Sequence, residues 1–388
     1  MTRQPKSMVP KVRFKGFTDE WEQRKLGEIS NIYDGVHQTP NYRKTGVMFL
    51  SVENIATLNS NKFISQEDFH KNFKIFPEQG DILMTRIGDV GTPNVVTSTN
   101  PLAFYVSLAL LKPKNVDSYF LCSSIESPMV RRSIQRRTLV TAIPQKINKD
   151  EIGKVHIDLP SKLEEQNKLG SLFRQIDKVV TLQQRKLDQL NTLKKGLLQK
   201  MLADKKHLQP QLRFKGYADD WKWKKLGELA NIKTGSRNHQ DSIENGKYPF
   251  YVRSEKIEHL NEYDYDTEAI LVPGDGKIGE IFHYINGKFA LHQRVYKLDE
   301  FNGIDAHFLL CLLKQNFKKH ALRLNAQGTV PSLRLPMFTK WEILIPSISE
   351  QEQIGKNFII LNNMILAQQS KLDKLNSLKK SLLQNMFI

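Results

Sequence analysis

Two stretches of the chain carry apolar residues at alternating spacings of four and three. In the first the positions are Leu169, Phe173, Ile176, Val180, Gln183, Leu187, Leu190, Lys194, Leu197 and Met201. In the second they are Ile354, Phe358, Leu361, Ile365, Gln368, Leu372, Leu375, Lys379, Leu382 and Met386. Eight of ten are apolar in each, and the polar exceptions fall at equivalent places, at a constant offset of 185. Both stretches are rich in Leu, Lys and Gln and free of Pro after their opening, which predicts long helices. A sustained 4-3 seam is the pattern of helices that pack on each other, and polar breaks within it can fix register. The alternative is a pair of amphipathic helices, each lying on its own domain. Forty helical residues measure about 60 Å.

The remainder reads as short strands mixed with short helices, an α/β or α+β composition. "ILMTRIGDVG" (82–91) and "ILVPGDGKIG" (270–279) each read as an apolar strand and a Gly turn, with a second strand beyond. "TLVTAIPQKINKDEIGKVHIDLP" and "AQGTVPSLRLPMFTKWEILIP" each predict a loop at Pro144 or Pro331, a short helix or turn, and a strand ending at Pro160 or Pro346. "GDGKIG" satisfies GxGxxG, but a dinucleotide site needs a helix directly afterwards, and the residues that follow alternate like strands. A DNA-contacting hairpin loop or a plain turn fits it better.

A second repeat opens each half. Pro10–Gly35 and Pro210–Gly235 align without gaps, with 14 of 26 positions identical, among them Trp21/Trp221 and the Leu-Gly-Glu triplets at 26–28 and 226–228. A period near 200 indicates a duplicated domain rather than a solenoid. The expected divisions are 1–160 and 207–346 for the globular domains, and 161–206 and 347–388 for two spacer helices. The second domain begins almost where the first helix ends, so the last helix must return antiparallel to the first. The expected architecture is pseudo-two-fold: two domains separated by two long antiparallel coiled-coil helices.

Charge narrows the function. Among 388 residues, Lys+Arg is 58 and Asp+Glu is 41, a formal net charge of +17. That excess favours an anionic partner, with nucleic acid before membrane surface or acidic protein. Cys122 and Cys311 are the only cysteines and lack CxxC spacing, so neither a disulfide framework nor a zinc site is expected. No apolar h-region or membrane-length run stands out, and a cytoplasmic setting is expected. There is no P-loop, no Asp/Asn-Pro-Pro-aromatic motif and no HExxH. Acidic groups such as Asp219-Asp220 and Glu262–Glu268 read as solvated loops rather than catalytic pairs. The chain reads as a binder with no catalysis and no metal of its own.

These features together resemble the specificity subunits of Type I restriction–modification systems. The resemblance rests on the doubled "RFKG…W…KLGE", on the Pro-Ser…Glu-Gln segments at Pro160–Gln166 and Pro346–Gln351, and on the two "LD-LN-LKK-LLQ-M" helices. "GDGKIG…GKFALHQRVYKL" adds to it. It implies two target-recognition domains, each reading half of a split sequence in double-stranded DNA, with no membrane partner. The helices would set the gap and dock two methyltransferase subunits. Restriction subunits would complete the complex. S-adenosylmethionine, ATP and Mg2+ would be bound by those partners, which would supply the adenine methylation and the ATP-dependent cleavage. The competing readings are a non-enzymatic coiled-coil scaffold whose basic domains bind protein or membrane, and an enzyme with an unrecognised site.

For a DNA reader, Lys and Arg supply affinity at phosphates, and Arg, Asn and Gln read base edges. The first-domain candidates are Arg86 in the Gly loop and Gln145 and Lys146 after Pro144. Arg131 and Arg132, in "RRSIQRR", either line the phosphate backbone or solvate a helix face. In the second domain they are Arg253, Lys277, His292, Gln293, Arg294 and Arg334. The first half has no His-Gln-Arg cluster; "YVSLAL" (Tyr105–Leu110) lies roughly there, so contacts do not transfer between halves.

Overall fold

The computed structural model describes residues 8–204, 207–325 and 331–388. Residues 205–206, at the end of the expected first spacer, and 326–330, in the loop expected before Pro331, lie outside the described residues. The chain divides into two compact units: unit 1, Met1–Gln184 with Ser370–Ile388, and unit 2, Arg185–Gln369. Each contains one globular domain and part of each long helix.

Unit 1 has strands β1 (Glu22–Lys25), β2 (Ser30–Asp34), β3 (Val47–Leu50), β4 (Phe63–Ile64), β5 (Ile82–Thr85), β6 (Pro93–Val95), β7 (Leu102–Phe104), β8 (Leu108–Pro113) and β9 (His156–Leu159). Its helices are α1 (Leu26–Ile29), α2 (Gln66–Asn72), α3 (Ser118–Glu126), α4 (Pro128–Arg137), α5 (Lys149–Gly153) and the start of α6 (Leu163–Met201). The sheets run β2-β8-β5-β6 and β4-β3-β7, with β1 paired to β9. Residues on opposite faces of the β5/β8 pair fill two cores. Ile82, Met84, Ala109 and Leu111 pack against α3, α4 and α5. Leu83, Leu108 and Leu110 pack with Phe49, Phe69 and Phe104. This is the period-two alternation of a sheet buried on both sides.

Unit 2 has β10 (Lys222–Lys225), β11 (Asn231–Thr234), β12 (Tyr248–Tyr251), β13 (Ile257–Leu260), β14 (Tyr265–Pro273), β15 (His283–Leu291), β16 (Val295–Asp299) and β17 (Glu342–Ile345). Its helices are α7 (Ala306–Leu312), α8 (Lys318–Leu324), α9 (Leu335–Thr339) and the start of α10 (Ile348–Met386), with a π-helical stretch, Leu313–Phe317, joining α7 to α8. One six-stranded sheet, β11-β16-β14-β15-β12-β13, replaces the two sheets of unit 1. The reason is strand length: β14 and β15 pair over seven residues, whereas β5 and β6 pair over three. As expected from sequence, β15 and not a helix follows the GxGxxG loop.

Both long helices are continuous over 39 residues. In unit 1 the start of α6 (Leu169, Phe173, Ile176) clusters with the end of α10 (Leu382, Leu383, Met386). In unit 2 the end of α6 (Leu197, Leu198, Met201) packs in one cluster with the start of α10 (Ile354, Phe358). Within each unit the two segments therefore run antiparallel. The other apolar seam positions, Val180, Leu187, Leu190, Leu361, Ile365, Leu372 and Leu375, are buried or half-buried.

The doubled motifs become one brace built twice. Arg13 holds Glu165 through two hydrogen bonds, 2.7 and 2.8 Å, and Arg213 holds Glu350 through two of 2.8 Å. The next residue in each case, Gln166 or Gln351, donates to the carbonyl of Pro160 or Pro346 and accepts from the backbone N–H of Asp117 or Asp305. Those aspartates cap α3 and α7 through the N–H of Phe120 and Phe308. Trp21 and Trp221 stand edge-on to the same two phenylalanines, at 6.0 and 5.6 Å. A Cβ on Gly170 or Gly355 would meet the cap carboxylate at 2.1 or 2.5 Å, which explains a glycine within each helix.

Candidate nucleic-acid interface

In each domain one loop gathers most of the predicted contacts. In unit 1 it is residues 86–91, between β5 and β6. Arg86 is buried, its guanidinium paired with Asp34 and its Nε donating to the carbonyl of Ile147 at 3.2 Å. Burial lowers its pKa, and Asp34 is the carboxylate it pairs with. Gln145 and Gly88 exchange hydrogen bonds of 2.9 and 3.0 Å, and Arg131 donates to the carbonyl of Val90 at 3.2 Å. Lys146 pairs with Leu139 along the backbone, and its side chain is exposed. Arg86, Gln145, Lys146 and Arg131 thus share one site. Arg86 spends its donors inside the protein and holds the loop, leaving Gln145 and Lys146 to face outward. Arg132 stays with its own helix, bonded to the carbonyl of Pro128 at 3.0 Å.

Unit 2 repeats the backbone of this site with different side chains. Arg86 N–H donates to the carbonyl of Ser107, and Gly274 N–H to that of Arg294; Ile147 N–H donates to Arg86, and Leu333 N–H to Gly274. Gly274 therefore occupies the place of Arg86. Tyr105-Val106-Ser107 occupies that of His292-Gln293-Arg294, which fixes the correspondence the sequence leaves approximate. Lys277, Arg294 and Arg334 are exposed around the loop, and Arg253 joins them by pairing with Asp275 at 3.2 Å. Gln293 points to Asn238, 2.8 Å from its Oδ1. His292 is buried, and its Nδ1 accepts from the N–H of Arg294 at 2.9 Å. Burial first, then Arg253, hold its pKa below the ordinary histidine value.

Several contributors escape sequence reading. Asp34 lies 52 residues from Arg86 and carries no motif. Arg237, which pairs with Asp264 at 2.9 Å and Glu262 at 3.1 Å, accepts at its carbonyl from Gln293 N–H. The acidic stretch read as solvated loop is therefore in part a brace for the His-Gln-Arg turn. In unit 1 Val140 and Ile143 stand exposed beside Gln145. The apolar "TLVTAIP" run is the signal that could have found them. Among the described residues no His/Cys/Asp/Glu cluster could hold a metal, and no helix is long and apolar enough to cross a membrane.

The sequence matches the family described as Type I restriction modification DNA specificity domain twice, over residues 18–192 and 218–377. It is 32% identical over 162 residues to the Type I restriction enzyme EcoDI specificity subunit of Escherichia coli, a match covering 42% of this chain and 35% of that one. It is 23% identical over 421 aligned positions to the MjaVIII specificity subunit of Methanocaldococcus jannaschii, covering 94% and 91%. The crystal structure of a Type I restriction–modification S subunit from M. genitalium superposes with a TM-score of 0.73 at 16% identity, over 98% of this chain and 99% of that one, and so shares its fold. With both halves matched, each carrying the same brace and loop frame, the chain belongs to the Type I restriction–modification DNA specificity family.

Proposed function

We propose that this chain is the DNA sequence-specificity subunit of a Type I restriction–modification complex and reads a bipartite target, one half-site per globular domain. The observation that carries this is the loop site built twice on one backbone frame with different side chains. Equal frames present two surfaces in equivalent ways; unequal residues let them read different bases. The domains are 1–160 and 207–346, and the segments 161–206 and 347–388, which carry α6 and α10, serve as spacer. The net charge of +17 supports binding to double-stranded DNA through phosphates.

Two methyltransferase subunits dock on the helices, because a pseudo-two-fold chain offers two identical partners equivalent places. Restriction subunits join them. S-adenosylmethionine, ATP and Mg2+ belong to those partners, and this chain has no catalytic step of its own. It acts in the cytoplasm. The test is to co-express the chain with its neighbouring methyltransferase and map adenine methylation across the host genome. One two-part motif with a fixed gap, lost when this chain is deleted, is expected. Methylation unchanged by the deletion would overturn the reading.

A further inference from the structure

The internal repeat brings three positions together in each unit, and it reverses their charge. In unit 1, Lys379 of α10 lies 2.7 Å from Glu126 Oε2 at the end of α3 and 2.6 Å from Asp177 Oδ1 of α6. Offsets fix the counterparts in unit 2. Lys194 is 379 − 185 and Asn362 is 177 + 185, the helix offset. Lys314 is 126 + 188, the offset of the Asp117/Asp305 caps and of Phe120/Phe308. One ammonium between two carboxylates (+1 − 2 = −1) becomes two ammoniums beside an amide (+1 + 1 = +2).

Lys194, Lys314 and Asn362 line a single cleft in unit 2, walled by Leu198, Cys311 and Phe358. Its enclosed volume is small, about 20 Å³, and the cleft opens to solvent. Among the described residues neither lysine forms an ion pair, and Lys314 is open to solvent, so an ion can reach it. The electrostatics of the two units diverge accordingly. Burial acts to lower the pKa of Lys379, but Glu126 and Asp177 outweigh it and the net shift is upward. Lys314 is exposed as a whole residue, but the cleft wall crowds it, and this desolvation first and Lys194 second push its pKa down. Lys314 also sits in the π-helical stretch Leu313–Phe317, where unit 1 instead breaks its chain at Ser127 before α4. Such widened turns concentrate at functional sites. Two like charges against apolar walls repel unless an anion joins them.

We infer that this cleft binds a small oxyanion of the phosphate or sulfate class, held between Lys194 and Lys314 with the Asn362 amide as a further donor. The ion supplies in unit 2 the negative charge that Glu126 and Asp177 supply in unit 1. It thereby ties the end of α6 to the helices of the second domain. The narrow apolar walls suit a free ion rather than a duplex backbone.

The experiment is a titration of the full chain with inorganic phosphate at constant ionic strength, read by thermal unfolding and by calorimetry. Wild type should show a saturable rise in unfolding temperature. Lys314→Glu, which restores the residue of unit 1, should weaken phosphate binding by about tenfold or more, about 1.4 kcal/mol. It should also unfold at a higher temperature than wild type in phosphate-free buffer. Lys314→Met, which removes the charge without adding an acid, should lose the phosphate response as well. An equal response in wild type and both variants would overturn the site. So would a Lys314→Glu protein less stable than wild type without phosphate.

Discussion

Glu165 and Glu350 are almost fully buried, and each answers an arginine more than a hundred residues away. Removing the carboxylate leaves a guanidinium with little water to replace it. Glu165→Ala should therefore cost about 3 kcal/mol, and Glu350→Ala a similar amount, measured by denaturant unfolding. Both motifs are visible in the sequence as repeats; that they bind each other is not, since nothing local links residue 13 to 165. The same holds for Arg86 and Asp34, and it changes what each mutation tests. Arg294, exposed in its turn, is a base-reading candidate. Arg294→Ala should cost about 1–3 kcal/mol of discrimination at one position of one half-site, leaving the other half-site unchanged, as read from methylation maps. His292 supplies a pH effect. Its folded pKa lies below the unfolded value, so the unfolded chain takes up the proton first. Stability is full above pH 6.5 and is lost as pH falls through the lowered folded value. Protonation also ends the bond from Arg294 N–H. Unfolding curves between pH 7 and 5 should show this loss, and His292→Gln should flatten it.

At the level of elements, the long helices were the most legible part of the chain, because a period sustained over ten positions outweighs any local ambiguity. Two glycines within α6 separate packing from propensity. Gly170 faces the Asp117 cap, whereas a Cβ on Gly196 meets nothing within 4 Å. Gly170→Ala should destabilise by about 1–3 kcal/mol through overpacking. Gly196→Ala should stabilise by up to about 1 kcal/mol through helix propensity. Opposite signs in thermal unfolding of the two variants are the expected result. The paired strands around each Gly loop were also legible from alternation and turn residues. The six-stranded sheet of unit 2 was not: it depends on where β14 and β15 stop pairing, which the residues between them do not signal. The π-helical stretch Leu313–Phe317 was equally silent, for "LKQNF" carries no Gly or Pro to mark a change of helix type.

For the molecule as a whole, duplication and basic charge pointed to a two-domain binder of an anionic partner, the resemblance of the doubled "RFKG…W…KLGE" and "LD-LN-LKK-LLQ-M" segments pointed to the family, and the structure adds that each domain repeats one loop frame. The individual candidate contacts were less legible, since Gln293 and His292 look like free polar residues until their partners are known. The boundaries between the compact units fall at equivalent places, Gln184/Arg185 in α6 and Gln369/Ser370 in α10, 185 apart. These are the places to lengthen the proposed spacer. Four residues inserted at each add about 6 Å of helix and one extra turn, a stutter that a coiled coil tolerates. At 3.4 Å per base pair this corresponds to about two base pairs. The most direct test of the account is the methylated motif of that double insertion, mapped beside wild type. Both half-sites unchanged with the gap about two base pairs longer is the predicted result. An altered half-site, or an unaltered gap in an active complex, would contradict it.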